Sequence, residues 1–313
     1  MMEFRSVGFL GIAGSLAMMT ACSAGGSQLA PVSAKAFAGS AARRPAHGAS
    51  WMRPEAKSHA LLYVSEGTGA VNVYAYPTLQ LMGTLTGFAS PQGECVDASG
   101  DVWITDQDAS TVVEYAHGGA VPIRTLKDTG NEPVDCSVDP KSGDLAVVSL
   151  HTENRRHGRL SIYAGARGTK KTYQDATMQE MDSVGYDNHG NAFVDGIAHG
   201  VFAYAKFSNG VFTDLTLGEN FSSPGGIRFD GTYMAVGDAE GQVIYQTSGS
   251  TIVGSTALEG SGAIQHFSIT GARVICADFA HLAIEIYSYP AGGSPIEVFS
   301  DDDDPIGVAL SRL

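Results

Sequence analysis

Short runs of alternating apolar and polar residues, separated by glycine-rich turns, fill the chain from residue 61 to its end. Alternation of this kind is typical of β-strands that bury one face. The clearest group of four runs lies between Asp101 and Gly143 and reads DVWITD, TVVEYA, PIRTL and PVDCSVD. The same order of runs recurs six times, so six four-stranded units are predicted.

Two positions mark the repeat. A tyrosine lies near the end of the second strand of each unit, at intervals of 41, 48, 41, 41 and 42 residues. These residues are Tyr74, Tyr115, Tyr163, Tyr204, Tyr245 and Tyr287. The last strand of each unit begins at Pro91, Pro133, Met181, Pro224, Ile264 and Pro305.

Repeats of 41 to 48 residues with four short strands indicate a β-propeller of six blades. A single four-stranded sheet cannot bury both of its faces, whereas six sheets packed around an axis can. The predicted fold is all-β, a six-bladed β-propeller with four-stranded blades over residues 61–313, in which the C-terminal strand PIGVALS completes the first blade. Almost no helix is expected, because no window beyond residue 20 shows a sustained helical apolar stripe.

The first 22 residues differ in kind from the rest. They contain Arg5, an apolar run from Val7 to Met19, and Met-Thr-Ala-Cys ending at Cys22. This segment resembles a bacterial lipoprotein signal peptide, and its apolar run is too short to span a bilayer. The resemblance implies export and lipid attachment at Cys22, with Ser23 favouring the outer membrane over other envelope sites. Ordinary cleavage nearby, which would leave a soluble protein, is the alternative.

Residues 23–60 are rich in Ala, Ser, Gly and Pro and are predicted to form a flexible tether. Trp51 and Met52 are the exception, and we expect them to pack on the outside of the first blade.

The region from Leu61 to Leu313 is acidic, with 13 Lys and Arg against 31 Asp and Glu and a formal charge of −18. Such a surface repels polyanions, so nucleic acid is excluded as a partner. One stretch of the third unit is basic and is either a solvated loop or a docking patch for an anionic group. It contains Arg155, Arg156, Arg159, Arg167, Lys170 and Lys171.

Three cysteines follow Cys22, an odd number, so at least one is free. When the innermost strands are aligned on Asp97 and Asp139, Cys95 lies two residues before its aspartate and Cys136 lies three before. The two cysteines then face each other from neighbouring blades. A Cys95–Cys136 disulfide is the hypothesis, with two packed free thiols as the alternative, whereas Cys276 is interpreted as a small buried apolar residue.

Binding sites in propellers usually lie where the innermost strands begin, because six loops converge there on one polar opening. The candidate ligand-binding residues at this mouth are Gln92, Glu94, Asp135, Asp182, Ser183, Gln265 and His266. We expect Gly225, Gly226 and Gly307 to leave space there, and the acidic run from Asp301 to Asp304 to lie at the same mouth. Asp106, Asp195, Asp238 and Asp278, which close the first strands, are expected to bind backbone N–H groups.

Carboxylates without matching cations can hold a hard cation such as Ca²⁺ or Mg²⁺. Glu94, Asp135 and Asp182 are the candidate ligands, although no D-x-D-x-D-G loop is present and no cofactor is required by the sequence.

Blades of the form DVWITDQDASTVVEYA resemble those of NHL-repeat, lactonase-like and streptogramin-lyase-like six-bladed propellers. The resemblance covers Leu61 to Leu313 and implies the fold. Lactonase-like propellers are expected to hold a divalent metal on the axis, which here implies Glu94, Asp135 and Asp182. Streptogramin-lyase-like enzymes are expected to use a histidine near the metal, which implies His266 as the catalytic residue.

Two functions remain open. The first is a monomeric, non-catalytic binding or scaffold module of the bacterial cell envelope, in the periplasm or at the surface, whose partner is an envelope protein, a glycan or a small ligand. The second is a metal-assisted hydrolase or lyase in which His266 moves a proton. No nucleophile motif, phosphate loop or dinucleotide fingerprint competes with them.

Overall fold

The computed structural model describes residues 48–152, 157–301 and 303–312. Within these ranges the chain forms six antiparallel sheets, five with four strands and one with five. The innermost strand of each sheet contacts the innermost strands of the next and of the previous sheet, so the sheets form a ring. The chain is therefore a six-bladed β-propeller, which confirms the prediction. The candidate signal peptide, Cys22 and most of the tether lie outside the described residues, as do Arg155 and Arg156.

The described residues form 25 strands, grouped in blades 1 to 6 in chain order. Blades 1 and 2 contain β1 (Trp51–Met52), β2 (Ala60–Glu66), β3 (Ala70–Tyr76), β4 (Gln80–Leu85), β5 (Pro91–Val96), β6 (Val102–Asp106), β7 (Thr111–Tyr115) and β8 (Pro122–Lys127). Blades 3 and 4 contain β9 (Asn131–Val138), β10 (Leu145–Thr152), β11 (Arg159–Tyr163), β12 (Lys171–Tyr173), β13 (Met178–Tyr186), β14 (Ala192–Ala198), β15 (Val201–Ser208) and β16 (Val211–Asp214). Blades 5 and 6 contain β17 (Pro224–Phe229), β18 (Met234–Asp238), β19 (Val243–Ser248), β20 (Thr251–Ala257), β21 (Ile264–Thr270), β22 (Arg273–Asp278), β23 (Ala283–Ser288) and β24 (Glu297–Ser300). The last strand, β25 (Pro305–Ser311), belongs to blade 1.

Helical structure is confined to two 3₁₀ segments, Pro54–Ser58 and Ala164–Ala166, among the residues that the structure describes. In that part of the chain, no helix has the length and apolar character needed to cross a bilayer.

The C-terminal strand closes the ring. β25 pairs with β2 in antiparallel register from Leu61 opposite Ser311 to Glu66 opposite Pro305, which makes it the innermost strand of blade 1. Ser311 fixes its far end, because its hydroxyl donates to the Gly100 carbonyl at 2.6 Å and lies 2.6 Å from His117 Nδ1. The predicted completion of the first blade by PIGVALS is confirmed.

The first blade also has an additional outer strand. β1 pairs with β4 through Trp51 opposite Thr84 and Met52 opposite Gly83, and Met52 packs against the apolar cluster of blades 1 and 2. Residues 51–60, which the sequence assigns by composition to the tether, thus include an edge strand and a 3₁₀ segment of the propeller.

The hydrophobic core is divided among the junctions between blades. Among the described residues there are six apolar clusters, and each combines side chains from two neighbouring blades. Five of the six repeat tyrosines are buried in or beside these junctions. Tyr245 is the exception, as it lies two residues earlier in its strand, opposite Val236, and is partly exposed. Burial of both blade faces is what radial repetition achieves, since no blade has a core of its own.

A disulfide crosses the junction between blades 2 and 3. It joins Cys95 of β5 to Cys136 of β9, with Cα atoms 5.6 Å apart and 41 residues of sequence separation. In the loop-entropy description, a crosslink of this span stabilises the fold by about 4 kcal/mol. Cys276 is a free thiol and is buried.

Every innermost strand carries a β-bulge close to its first residue. In all six blades the register with the neighbouring strand shifts by one residue there. Bulges of this kind bend a strand and redirect its side chains. They lie at the same end of the propeller, where the innermost strands begin, and so shape the mouth of the central axis.

Candidate functional site

The bulges place one residue of each innermost strand opposite no partner on the adjacent strand. The residue that follows each predicted start of an innermost strand always takes part, namely Gln92, Val134, Asp182, Gly225, Gln265 and Ile306. Residues freed from the ladder in this way can point into the axial opening instead of between the blades.

A cavity of about 150 Å³ lies at this mouth. Five of the seven candidate residues line it, together with one further glutamine and three apolar residues. The full lining is Gln92, Gln107, Val134, Leu150, Asp182, Ser183, Pro224, Gln265 and His266. The structure places the other two candidates, Glu94 and Asp135, outside this lining, where both are fully buried.

Neutral hydrogen-bonding groups dominate the cavity wall. Three of its side chains are glutamine amides and one is the Ser183 hydroxyl, all of which both donate and accept hydrogen bonds. Among the described residues, none hydrogen-bonds to the side chains of Gln107 and Gln265. Val134, Leu150 and Pro224 add apolar surface to the same cavity.

One wall of the mouth carries a pair of buried acids in blade 4. Burial raises the pKa of Asp182 to about 7, with a further contribution from Glu180, and Asp182 Oδ2 has no hydrogen-bond partner in the described part of the chain. Burial also raises the pKa of Asp195 well above its ordinary value, and the charges of Asp182 and Asp135 add to this effect while Ser183 opposes it. Asp195 therefore favours its protonated form near neutral pH, whereas Asp182 is divided between its protonated and ionised forms.

Arg228 crosses the axis beneath the mouth. Its guanidinium donates to both carboxylate oxygens of Asp135, with Nη1 to Oδ2 at 3.0 Å and Nη2 to Oδ1 at 3.2 Å. It also donates to the backbone carbonyls of Ile227 at 2.8 Å and Glu94 at 3.3 Å. Arg228 thus extends from blade 5 to blades 2 and 3 and neutralises Asp135 through a two-pronged ion pair.

His266 and Glu94 lie beside this ion pair. His266 Nδ1 is 3.2 Å from the Ile306 carbonyl, Nε2 is 3.9 Å from Asp135 Oδ1, and burial lowers the pKa of the imidazole. The Ser65 hydroxyl donates to Glu94 Oε1 at 2.5 Å, and burial raises the pKa of Glu94 to about 8. A neutral histidine and a protonated glutamic acid are the forms that this burial favours.

The axial acids do not fit a divalent metal. Two groups of three potential ligands lie within 4.8 Å of one another in the described part of the chain, and neither contains Glu94, Asp135 or Asp182. Asp135 is already paired with a cation, since Arg228 holds both of its oxygens. Glu94 is bonded to Ser65 instead.

The aspartates that close the first strands follow the expected pattern in three blades. Asp106 accepts from the N–H groups of Ala89 and Ser90, and Asp238 and Asp278 accept from the corresponding loops. Asp195 differs, because β14 continues to Ala198 and leaves Asp195 inside the strand, opposite Ser183. It therefore faces the buried acids at the mouth instead of capping a loop.

The glycines at the mouth do not leave open space, contrary to expectation. A Cβ atom on Gly307 would lie 2.1 Å from the Gln92 carbonyl oxygen, and one on Gly225 would lie 2.6 Å from the Ala239 nitrogen. A Cβ on Gly226 would approach the Phe267 ring at 3.1 Å. These glycines permit close packing of adjacent backbones.

The acidic run does not line the mouth cavity either. Asp301 accepts a hydrogen bond from the Tyr74 hydroxyl at 2.8 Å, and its own N–H donates to the Leu282 carbonyl at 2.7 Å. The run therefore passes between blades 6 and 1. Asp302 lies outside the described residues.

The described part of the basic stretch does not form one free patch. Lys170 pairs with the buried Asp128. Arg167 lines a separate cavity of about 700 Å³ between blades 2 and 3, at the end of the propeller opposite the mouth. That cavity carries both charges, since Arg124 and Glu114 also line it.

Arg228 and Gln107 were not predicted from the sequence, and Asp195 was predicted only as a strand-closing aspartate. A signal for Arg228 is present in the fifth position of the aligned innermost strands. The other five residues in that position are small, namely Cys95, Ser137, Gly185, Ser268 and Ala309. Arg228 is therefore the one long charged side chain at this position of the repeat.

No protein-family model matches the sequence, and no curated protein matches it. Among solved structures, a chain of a nidogen/laminin complex aligns with a TM-score of 0.67 at 12% identity, covering 81% of this chain and 98% of that chain. A protein of unknown function from Bacteroides caccae aligns with a TM-score of 0.65 at 11% identity, covering 82% and 100% respectively. At these identities the likeness shows the propeller fold alone.

Replacing Arg228 with methionine should destabilise the protein by about 3–5 kcal/mol, because Asp135 would remain buried without its cation. The double variant Arg228→Met/Asp135→Asn should recover much of this loss, since the uncompensated charge is gone. Denaturant unfolding measures both. In the matched control, Arg273→Met breaks a pair whose side chains are 38% and 40% exposed and should cost less than about 1 kcal/mol. Equal losses in Arg228→Met and Arg273→Met would contradict the axial role.

The raised pKa of Glu94 should make stability depend on pH. The folded state retains this proton up to about pH 8, whereas the unfolded chain releases it near pH 4.5. Unfolding between these values releases a proton, so the free energy of unfolding should fall as the pH rises, by at most about 1.4 kcal/mol per pH unit. Glu94→Gln should reduce this slope, while Glu240→Gln, at an exposed glutamate, should not. Unfolding curves from pH 5 to 8 that keep the same slope in Glu94→Gln would contradict the assignment.

Proposed function

We propose that this chain is a non-catalytic binding module of the bacterial cell envelope, which holds a neutral sugar residue of a glycan at the mouth of the propeller. The observation that carries the proposal is the mouth cavity of about 150 Å³, whose polar wall consists mainly of amide and hydroxyl groups.

The size of the cavity suits one six-membered ring, because a cavity of about 150 Å³ accommodates a benzene molecule. Sugar hydroxyls donate and accept hydrogen bonds, as do the side chains of Gln92, Gln265 and Ser183. The apolar surface of Val134, Leu150 and Pro224 suits the C–H face of a sugar ring. Together these features favour a hydroxylated ring over a purely apolar ligand.

Charge favours a neutral ligand. Asp182 lies on the cavity wall with its pKa raised to about 7, so it is either neutral or negatively charged and cannot attract an anion. Arg228, the cation nearest the axis, is already engaged by Asp135. A carboxylated or phosphorylated sugar would therefore lose its hydration at the mouth without gaining a cationic partner.

Export and lipid attachment form the second part of the proposal. The resemblance of Met1–Cys22 to a lipoprotein signal peptide supports attachment at Cys22, and Ser23 supports sorting to the outer membrane. The Cys95–Cys136 disulfide supports the same location, because disulfides persist mainly outside the cytoplasm. The NHL-like and lactonase-like resemblance adds fold-level support for a six-bladed propeller, not an activity.

The metal-assisted hydrolase or lyase is the weaker hypothesis. It requires Glu94, Asp135 and Asp182 to hold one ion beside His266, which would move a proton, and Arg228 already holds both oxygens of Asp135.

Gln265→Leu should weaken sugar binding about tenfold or more, because it removes donors and acceptors from the cavity while preserving side-chain size. Isothermal titration with glucose, galactose and N-acetylglucosamine measures this effect. Glucuronate, a carboxylated sugar, is the control ligand for glucose. We expect it to bind more weakly than glucose because its carboxylate would find no free cation at the mouth.

The matched variant for this experiment is Gln80→Leu, which changes an exposed glutamine at the start of β4, outside the cavity. It should bind sugar like the wild-type protein. The proposal fails if none of the neutral sugars binds, or if Gln265→Leu and the wild-type protein bind them equally.

Cys22→Ser should abolish incorporation of radiolabelled palmitate and move the protein from the membrane fraction to the soluble fraction. The physical reason is that the thioether-linked lipid would be the only anchor proposed for this chain. Membrane association that persists unchanged in Cys22→Ser would contradict lipid attachment at this residue.

A further inference from the structure

A second cluster of ionisable side chains lies in the turn between β22 and β23 of blade 6. Asp278 ends β22, His281 lies in the turn and Glu285 lies on β23. One ligand atom from each residue lies within 4.8 Å of the other two. None of the three lines the mouth cavity.

The two acids of this cluster are buried side by side. Asp278 is 0% exposed and Glu285 is 4% exposed, and a carboxylate oxygen of each lies within 4.8 Å of one on the other, while the Tyr287 hydroxyl donates to Glu285. Two carboxylates this close together and away from water repel each other unless a proton or a cation lies between them. His281 Nδ1 lies 3.0 Å from Asp278 Oδ2, which brings a nitrogen ligand to the same point.

Two other blades have the same turn without the cluster. Comparing the three turns shows which residues the turn itself needs. Blades 2 and 5 have turns of the same length, in which Asp106 and Asp238 accept N–H groups of the preceding loop, as Asp278 does. The residues at the position of His281 are Ala109 and Gly241, and those at the position of Glu285 are Val113 and Tyr245. The turn therefore needs the aspartate but neither the histidine nor the glutamate.

We propose that Asp278, His281 and Glu285 form a binding site for a zinc-class divalent cation. An imidazole nitrogen with two carboxylates is a ligand set that zinc accepts in tetrahedral geometry with bonds of about 2.0–2.2 Å. The imidazole favours zinc and its transition-metal neighbours over Ca²⁺ and Mg²⁺, which prefer oxygen ligands alone. His281 is the exposed member, with 51% of its side chain accessible, so the ion would enter from solvent and keep a water as its fourth ligand.

The site lies next to the segment that closes the ring. The Leu282 carbonyl, in the same turn, accepts a hydrogen bond from the Asp301 N–H at 2.7 Å, and β25 begins shortly after at Pro305. A cation at the turn would hold β22 and β23 together beside this junction. The inference is independent of the sugar-binding proposal, because the two sites share no residue.

The test is zinc binding by the purified protein after removal of metal with a chelator and of any affinity tag. Isothermal titration should give one equivalent of Zn²⁺, bound more tightly than Ca²⁺ or Mg²⁺. His281→Ala and Glu285→Gln should each weaken Zn²⁺ binding by at least about tenfold. Removing a residue that only supports a metal ligand already weakens binding by about this much, so removing a ligand itself should cost no less. Saturating Zn²⁺ should raise the Tm of the wild-type protein and leave that of His281→Ala nearly unchanged.

The matched control is His189→Ala. His189 also lies near an aspartate, with Nδ1 3.9 Å from Asp187 Oδ2, but it belongs to neither three-residue ligand group. It should bind Zn²⁺ like the wild-type protein. The proposal is overturned if the wild-type protein takes up no zinc, if His281→Ala retains full affinity, or if His189→Ala loses affinity to the same extent. Because His281 lies in an exposed turn, circular dichroism of His281→Ala without metal should match that of the wild-type protein.

Discussion

Pairing of the last strand with the first is the interaction on which the rest of this molecule depends. Each apolar cluster lies between two blades, so a blade is buried only when both neighbours are present. The junction between blades 6 and 1 is complete only when β25 is paired with β2, because Val308 of β25 is part of its cluster. Closure therefore makes the six junctions cooperative, although each is built from local repeats.

Closure also creates the polar centre. Six innermost strands brought around one axis present their side chains to a space that no single blade defines. Arg228 extends into that space beneath the mouth, where it pairs with Asp135 and donates to the Glu94 carbonyl. The bulges then redirect the residues above it, so that amide and hydroxyl groups line the opening while Asp135 and Glu94 stay below. The chemistry of the mouth is thus a product of the ring and of the bulges together.

The regular spacing of the repeat made the architecture predictable, because the tyrosines and the starts of the innermost strands recur at nearly constant intervals. The same alignment singled out Cys95 and Cys136, the two cysteines that the structure joins. Side-chain direction around the bulge of each innermost strand was not predictable in this way. A bulge adds one residue and breaks the alternation, so Glu94 and Asp135 could not be separated by pattern from Gln92 and Asp182.

Other details depended on contacts across the ring or on small changes in strand length. Gly307 looked like vacant space, yet it lies against the Gln92 carbonyl of the next blade. Asp195 looked like its repeat equivalents, yet a longer β14 leaves it within the strand.

The position of Arg228 has a further consequence for any molecule that occupies the mouth. The guanidinium reaches from blade 5 to Asp135 of blade 3 and to the Glu94 carbonyl of blade 2, so it lies between the mouth and the deeper part of the axis. A solute held at the mouth would have to pass this ion pair to reach the other face of the propeller.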